Sequence, residues 1–480
     1  MKYKSNVLHG LQQQVAESIA GHNQLLLALC GGLDSTVLLE ILKSLRDANN
    51  QKTGPQLSLR AMHVHHGLST HADLWVTHCE QQCRQRTVPF KVIRVKLETI
   101  PTPKNGIEAA ARNARYQALH DVLVPGEVLL TAQHQDDQAE TLLLALKRGS
   151  GPAGLAAMAA NSSLGDHRLL RPLLACSRAQ LAAYAVALNL SWIEDDSNQN
   201  DRFDRNFLRL RILMPLQQRW PKFSQAATRS AQLCGEQETL LDELLKETLT
   251  TLVRSDGGLQ LTPLLPMSHL RRGALLRRWL ASQGAEMPSR QQLAHLWQEV
   301  ALSRRDAVPQ FAIGNKLLRR FRDRLYLLST PISAEPKVDA LLWPVSTAQL
   351  LLPHHLGLLI RQLNDTVISP NINIVNTSVS VIRAPQSDEG VSVRFGKVDG
   401  LLHIVGHRHG RTLKKIWQKL AVPPWQRRRT PLLFYNQRLI AAPGIFVTRD
   451  GEVQNNCAQW RLHWLPSSSL DFPVNFIPGS

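Results

Sequence analysis

The chain has 480 residues, enough for roughly three domains, with an ordinary globular balance of 43% hydrophobic and 20% charged residues. No apolar run reaches the roughly 18–20 residues that span a bilayer, the amino-terminal stretch lacks the apolar core of a secretory signal, and six cysteines are too sparse for a disulfide framework, so no membrane association and a reducing, cytoplasmic setting are expected. Lys plus Arg number 56 against 38 acids, a net charge of +18, which attracts polyanions and makes nucleic acid the expected partner ahead of a membrane surface.

In chain order, strands are predicted over 24–30, 57–66, 89–97 and 127–134, and helices over 34–46, 71–87, 107–123 and 136–148. Near-continuous apolar strands separated by helices predict a parallel sheet covered on both faces. Right-handed crossovers then give an α/β, doubly wound domain over 1–217, with its ligand at the carboxyl ends of the strands. From Phe223 a long amphipathic helix begins, and helical stretches follow over 268–284 and 289–304, which predicts a small helical domain over 223–330. Residues 331–390 are richer in Pro, Asn, Ser, Thr and Val and read as a linker leading into short strands. Alternating runs around the helix "TLKKIWQKL" predict a small, basic α+β domain over 391–465.

The first strand runs into "CGGLDS", residues 30–35. Gly31 and Gly32 let the backbone approach a ligand closely. The helix that starts near Asp34 points free N–H groups and the positive end of its dipole at the same place. Ser35 and Thr36 add hydroxyls, and the whole has the character of a phosphate site. Asp34 would repel a bare phosphate and suggests an intervening Mg²⁺. Taken alone, the turn reads equally well as a strand–helix turn capped by Asp or Ser.

Two further stretches weigh on that choice. "GIEAAARNARYQAL" puts Glu108, Arg112 and Arg115 roughly on one helical face. "TAQHQDDQAETLLLALKRGSGPAGL" ends a strand with His134 and opens a helix with Asp136, Asp137, Glu140 and Thr141. Such acids are often only dipole partners, yet His, Asp and Glu at one strand end are denser than capping requires.

These stretches, with "HVHHGL", "RPLL" (171–174), "DDSNQNDRFDRNFLRLRILMPL" (195–216) and "HGRTLKKIWQKLAVPPWQRRRTPLLFY" (409–435), resemble in order the motifs of the tRNA(Ile)-lysidine synthetases, of the PP-loop ATP pyrophosphatase superfamily. The resemblance implies a ligase that adenylates C2 of the wobble cytidine in an isoleucine tRNA with a CAU anticodon. Free L-lysine then displaces AMP to give lysidine. It implies ATP and Mg²⁺ as cofactors, and it leaves a homodimer open. Gly31, Gly32, Leu33 and Ser35 are expected at the phosphates, and Asp34 and Asp137 at Mg²⁺. Arg112 is expected at phosphate or activated cytidine, and His134 near the α-phosphate or the attacking amine. Glu140 and Arg205 are expected at the charged groups of lysine, and the base for its amine is open among His134, Asp137 and Glu140. The family's turn begins with serine where this chain has Cys30, a weaker donor, so weakened ATP binding is expected.

Residues 401–430 hold eight Lys or Arg and no acid. Arg408, Arg411, Lys414, Lys415, Lys419 and Arg427 to Arg429 are expected to track a phosphate backbone. Trp417 and Trp425 lie among them, as core or as base-stacking groups. Two other readings are a sulfur-inserting PP-loop tRNA modifier, for which Cys79 and Cys83 would have to be reactive, and a weakened RNA-binding homologue, on account of Cys30.

Overall fold

The computed structural model describes residues 2–51, 54–65, 67, 71–95, 106–194, 201–254, 256–304, 307, 309–329, 340–354, 356–363, 379–454 and 458–465, with the backbone alone for 2–7, 106–109 and 363. The Glu108 side chain and the "DDSNQN" stretch at 195–200 therefore lie outside the described residues. The chain divides into two compact units, residues 1–241 and 242–480.

The first unit opens with α1 (Lys2–Ser18), β1 (Gln24–Ala28), α2 (Leu33–Asn50), β2 (Ser58–His65), α3 (Ala72–Gln85), β3 (Phe90–Arg94), α4 (Gly106–His120), β4 (Val128–Leu130) and α5 (Gln135–Lys147). It continues with α6 (Pro152–Leu155), β5 (Asn161–Leu164), β6 (His167–Leu170), α7 (Arg178–Ala187), α8 (Asp204–Phe207) and α9 (Met214–Arg219), a π-helical turn (Leu208–Leu213) joining the last two. α10 (Phe223–Leu252) crosses the boundary between the units.

One sheet carries the strand order β3-β2-β1-β4-β6-β5, parallel except for the β5 edge. The alternation of side chains along β1 explains why leucines are needed on both of its faces. Leu25, Leu27 and Leu29 pack with α1, α2, α3 and α7, while Leu26 packs with Met62, Leu119, Leu129 and Leu169. Each fully buried leucine contributes roughly 1.5–3 kcal/mol. The chain runs from β1 to β2 and β3 on one side, then crosses to β4 on the other. The crevice at the carboxyl ends of β1 and β4 is thus the switch point where such sheets bind ligands.

In the second unit β7 (Leu259–Gln260), α11 (His269–Ser282), α12 (Arg290–His295), β8 (Gln310–Ile313), β9 (Lys316–Phe321) and β10 (Arg324–Ser329) form a module whose sheet has the order β7-β10-β9-β8. This module, expected to be helical, therefore carries an antiparallel sheet as well. Its strands are hard to read from sequence because Lys316, Arg319 and Arg320 interrupt the apolar alternation of β9, although Leu318 is fully buried.

The last module holds β11 (Leu341–Leu342), β12 (Gln349–Leu352), β13 (Gly357–Leu363), β14 (Ser380–Arg383), β15 (Val391–Arg394), α13 (Leu413–Lys419), α14 (Pro424–Arg427), β16 (Leu432–Tyr435), β17 (Arg438–Ala442), β18 (Phe446–Val447) and β19 (Gln459–Leu465). Two sheets result, β11-β15-β16-β17-β18 and β12-β13-β19-β14. Short strands are present within 331–390, as expected, but they are not part of a linker: β11 pairs with β15, and β13 and β14 flank β19, so this module begins well before position 391. Besides its neighbour β12, β13 pairs with β19 about a hundred residues downstream, for example Leu359 with Trp464, and local sequence carries little sign of that second pairing.

Candidate active site

The loop after β1 is held by its own residues. Gly31 has φ +87° and its carbonyl accepts from Ile193 N at 2.9 Å. A Cβ on Gly31 would stand 3.0 Å from Cys79 Sγ, while one on Gly32 would meet only ordinary contacts, Cys30 Sγ at 3.6 Å and Ile193 O at 3.9 Å. Gly31 is therefore demanded by the fold; at Gly32 the protein itself has room for a side chain. The Ser35 hydroxyl accepts from Gly31 N at 3.2 Å and donates to Gly32 O at 3.1 Å. Its proton is thereby used, so the exposed Cys30 thiol, 3.2 Å away, is the donor to it. Ser35 thus shapes the turn from beneath. Leu33 is buried and starts α2, whose N-terminus has no side-chain cap.

At the end of the neighbouring strand β4, His134 caps α5. Its Nδ1 accepts from Asp136 N at 3.2 Å, and Asp137 Oδ2 accepts from His134 N at 3.0 Å. The ring is buried, and its Nε2 lies 3.5 Å from Asp34 Oδ2 and 3.6 Å from Asp137 Oδ2. Burial pushes the imidazole pKa down, but the Asp34 hydrogen bond and the charges of Asp137, Asp34 and Asp136 outweigh it and raise it to about 9. The Asp136 N–H favours the neutral ring; in either form Nε2 carries a proton toward the two carboxylates.

Glu140, one turn along α5 from Asp137, is wholly buried. Burial pushes its carboxyl pKa up, opposed chiefly by Arg209. Arg209 Nε donates to Glu140 Oε1 at 2.8 Å, and its Nη2 lies 3.3 Å from Asp137 Oδ1. Arg205 Nη1 lies 3.6 Å from Glu140 Oε2, and its Nη2 donates to Thr141 Oγ1 at 3.3 Å. Arg209 is not among the residues expected from sequence. The signal was present: Arg205 and Arg209 are one helical turn apart, matching Asp137 and Glu140 one turn apart on α5.

The Arg112 guanidinium lies 5.1 Å from the Tyr116 ring centroid. Burial pushes its pKa down, opposed first by Tyr116, while the charges of Arg205, Arg115 and Arg171 lower it further. Arg112 and Arg205, ninety-three positions apart, thus belong to one cationic cluster. The first unit therefore gathers a bare glycine turn at a helix N-terminus, two carboxylates around a proton-bearing imidazole, and a group of arginines. That combination is suited to a phosphate ester whose charge changes during reaction.

Family models match the chain in three places: a PP-loop domain over residues 4–216, a TilS substrate binding domain over 259–326, and a TilS substrate C-terminal domain over 391–464. The tRNA(Ile)-lysidine synthase of Pectobacterium atrosepticum is 54% identical over 454 residues, covering 95% of this chain and 97% of that protein. That of Serratia proteamaculans is 53% identical over 454 residues, covering 95% and 98%. The chain belongs to the tRNA(Ile)-lysidine synthase family. Among solved structures, the U34-tRNA thiolase NcsA from Methanococcus maripaludis is 15% identical, covering 48% of this chain and 80% of that one at a TM-score of 0.41.

As a member of this lysidine synthase family, an ATP-dependent ligase family, the chain carries an ATP-binding PP-loop module in which the glycine turn, Asp34 and His134 lie together. Cys79 and Cys83 are fully buried, and burial raises both thiols, Cys83 to about 12, which removes them as reactive thiolates. No helix among the described residues is long and apolar enough to cross a membrane.

In the second unit the basic tail is partly exposed. Lys414, Lys415 and Lys419 of α13, with Arg408 and Arg428, face solvent. Arg429 does not: it is buried, which corrects its place in the expected phosphate track. Trp417 is core, edge-on to Phe446 with centroids 5.4 Å apart. Trp425 packs against Phe321 and Tyr326, so neither tryptophan stands free to stack on a base.

Proposed function

We propose that this member of the family joins free lysine to C2 of the wobble cytidine of the CAU-anticodon isoleucine tRNA. The observation that carries the proposal is the meeting of the glycine turn with Asp34, His134 and Asp137 at the β1/β4 crevice. In the first step the cytidine O2 attacks the α-phosphorus of ATP, the bond to the β-phosphate oxygen breaks, and pyrophosphate leaves. In the second, an amine of lysine forms the new bond to C2, the C2–O bond breaks, AMP leaves, and the amine's proton passes to a base.

The residues divide naturally over these steps. Backbone N–H groups of the Cys30–Leu33 turn and the α2 N-terminus receive phosphate oxygens, with Cys30 and Ser35 setting the turn's shape. His134 Nε2–H donates to an oxygen at the α-phosphate. Arg112, in its cationic cluster, takes the phosphate or the activated base. Glu140 and Arg205 meet the charged groups of lysine. Glu140, its pKa raised by burial, is also poised to accept the amine's proton.

Mg²⁺ fits the donor set. Asp34 Oδ1 is buried without a hydrogen-bond partner, and Asp137 stands across the same imidazole. Among the described residues no cluster of three or more His, Cys, Asp or Glu could hold a metal. Two carboxylates, completed by ATP phosphates and water, is the arrangement Mg²⁺ favours. Bound there, it would neutralise charge on the phosphates as pyrophosphate leaves.

The test is incorporation of labelled lysine into bulk tRNA, with and without ATP. ATP-dependent label in tRNA is expected. ATP–pyrophosphate exchange on tRNA without lysine transfer would leave the adenylation half and overturn the ligation half.

A further inference from the structure

The two modules of the second unit meet at Trp425. Trp425 of α14 packs edge-on against Phe321 of β9 and Tyr326 of β10, with centroids 6.0 and 5.5 Å away. The Arg319 guanidinium lies 4.9 Å from the Trp425 ring centroid. Three arginines drawn from both modules surround this joint. Arg319 of β9 has a buried Nε without a hydrogen-bond partner. Arg322, in the turn between β9 and β10, donates Nη2 to Gln418 O at 2.6 Å. Arg427 of α14 donates Nε to Val422 O at 2.9 Å.

Among the described residues none of the three is ion-paired with a carboxylate. Asp323, next to Arg322, turns away to accept from Thr262 N and Oγ1 at 3.1 and 2.6 Å. Burial depresses the pKa of Arg319 and, with the charge of Arg322, that of Arg427. The like charges of Arg322 and Arg427 oppose one another at this seam, and an anion would relieve them. Guanidinium forks match phosphate oxygens in shape as well as charge.

We infer that this seam is a binding site for a single backbone phosphate of RNA, shared by Arg322 and Arg427 with Arg319 below them on the Trp425 face. The bound phosphate would tie the substrate-binding module to the C-terminal module at the point where Trp425 already joins them. The inference rests on the reading that tRNA is the substrate and adds a defined contact to it. A merely structural seam, held by ring and cation contacts, is the competing explanation.

The test measures tRNA affinity of the full-length protein against salt concentration for Arg322→Gln, Arg427→Gln and the double variant, with thermal unfolding as the check on folding. Each single change is expected to lower the log–log salt slope by about 0.7–0.9, the value for one phosphate. The double variant is expected to lower it no further, because the phosphate is shared. Arg322→Lys and Arg427→Lys keep the charge and should keep the slope. Unchanged slopes in the Gln variants would overturn the site, and so would losses that add to two phosphates. A wild-type protein that binds no tRNA would sink the tRNA reading itself; a normal wild-type slope with unchanged variants sinks the seam alone.

Discussion

Arg209 Nε donates to Glu140 Oε1 at 2.8 Å, closing an ion pair around a carboxylate with no exposed surface. The same guanidinium reaches Asp137 at 3.3 Å, so one side chain steadies two acids on α5.

Arg209→Ala should leave Glu140 buried with weaker compensation. Breaking a buried pair costs roughly 3–5 kcal/mol, and loosened catalytic geometry costs on the order of a hundredfold in rate. Burial raises the Glu140 pKa and Arg209 opposes it, so the variant's carboxyl should rise further. If ionised Glu140 is needed, the acid limb of kcat/KM moves to higher pH. Thermal unfolding and a pH–rate profile check both expectations; an unmoved limb would show that Glu140 does not titrate in the reaction.

The Asp34–His134 contact gives a second test. His134 stands at about 9, above its ordinary 6.5. A raised imidazole stabilises the fold fully below pH 6.5 and loses that contribution as pH climbs through about 9. Proton NMR of metal-free protein should find the high value, and Asp34→Asn should lower it. Asp34→Ala and Asp137→Ala should each abolish turnover while the fold survives. Near-normal turnover in Mg²⁺ would remove that residue from the proposed metal pair.

The two glycines should respond differently. Gly31→Ala strains a backbone at φ +87° and crowds Cys79 Sγ, costing about 1–2 kcal/mol or more in stability. Gly32→Ala meets only ordinary contacts, so its thermal midpoint should hold while ATP affinity falls. Equal ATP affinity in Gly32→Ala would mean that phosphate does not approach this peptide.

Cys30→Ser should keep or improve ATP affinity, since a hydroxyl replaces a weaker donor 3.2 Å from Ser35 Oγ. Cys30 is exposed whereas Cys79, Cys83 and Cys176 are buried, so a thiol reagent should mark Cys30 before those three and ATP should slow the marking. Loss of ATP binding in the Ser variant would reveal a role for sulfur.

Lys414→Ala with Lys415→Ala should weaken tRNA binding and lower its salt slope by about 0.7–0.9 for each phosphate no longer engaged. ATP affinity should stay unchanged. Arg84→Ala with Lys91→Ala, both exposed in the first unit, is the matched control. Equal weakening in the two variants would mean general attraction by net charge.

Much of the first unit was legible because its strands are short apolar runs between helices, a pattern that local sequence carries. The observed β1, β2, β3 and β4 fall inside the predicted runs. The polar motifs also marked the elements whose ends meet at the crevice. What escaped depended on distant partners. Arg209 finds its partners, Asp137 and Glu140, on α5, about seventy residues away. Strands β13 and β14 pair with β19, far along the chain. Arg429 sat in a run of three arginines, and nothing in the run tells that it is the buried one.

The strand order also governs when the enzyme can exist. Asp34 and His134 are one hundred positions apart, and β4 reaches β1 only after the chain has laid down β2 and β3 on the other side. During synthesis, which adds roughly 5–20 residues each second, an emerging chain holds its glycine turn for several seconds without the imidazole and the second carboxylate. A stalled or truncated product that stops before β4 therefore carries the turn without His134 and Asp137.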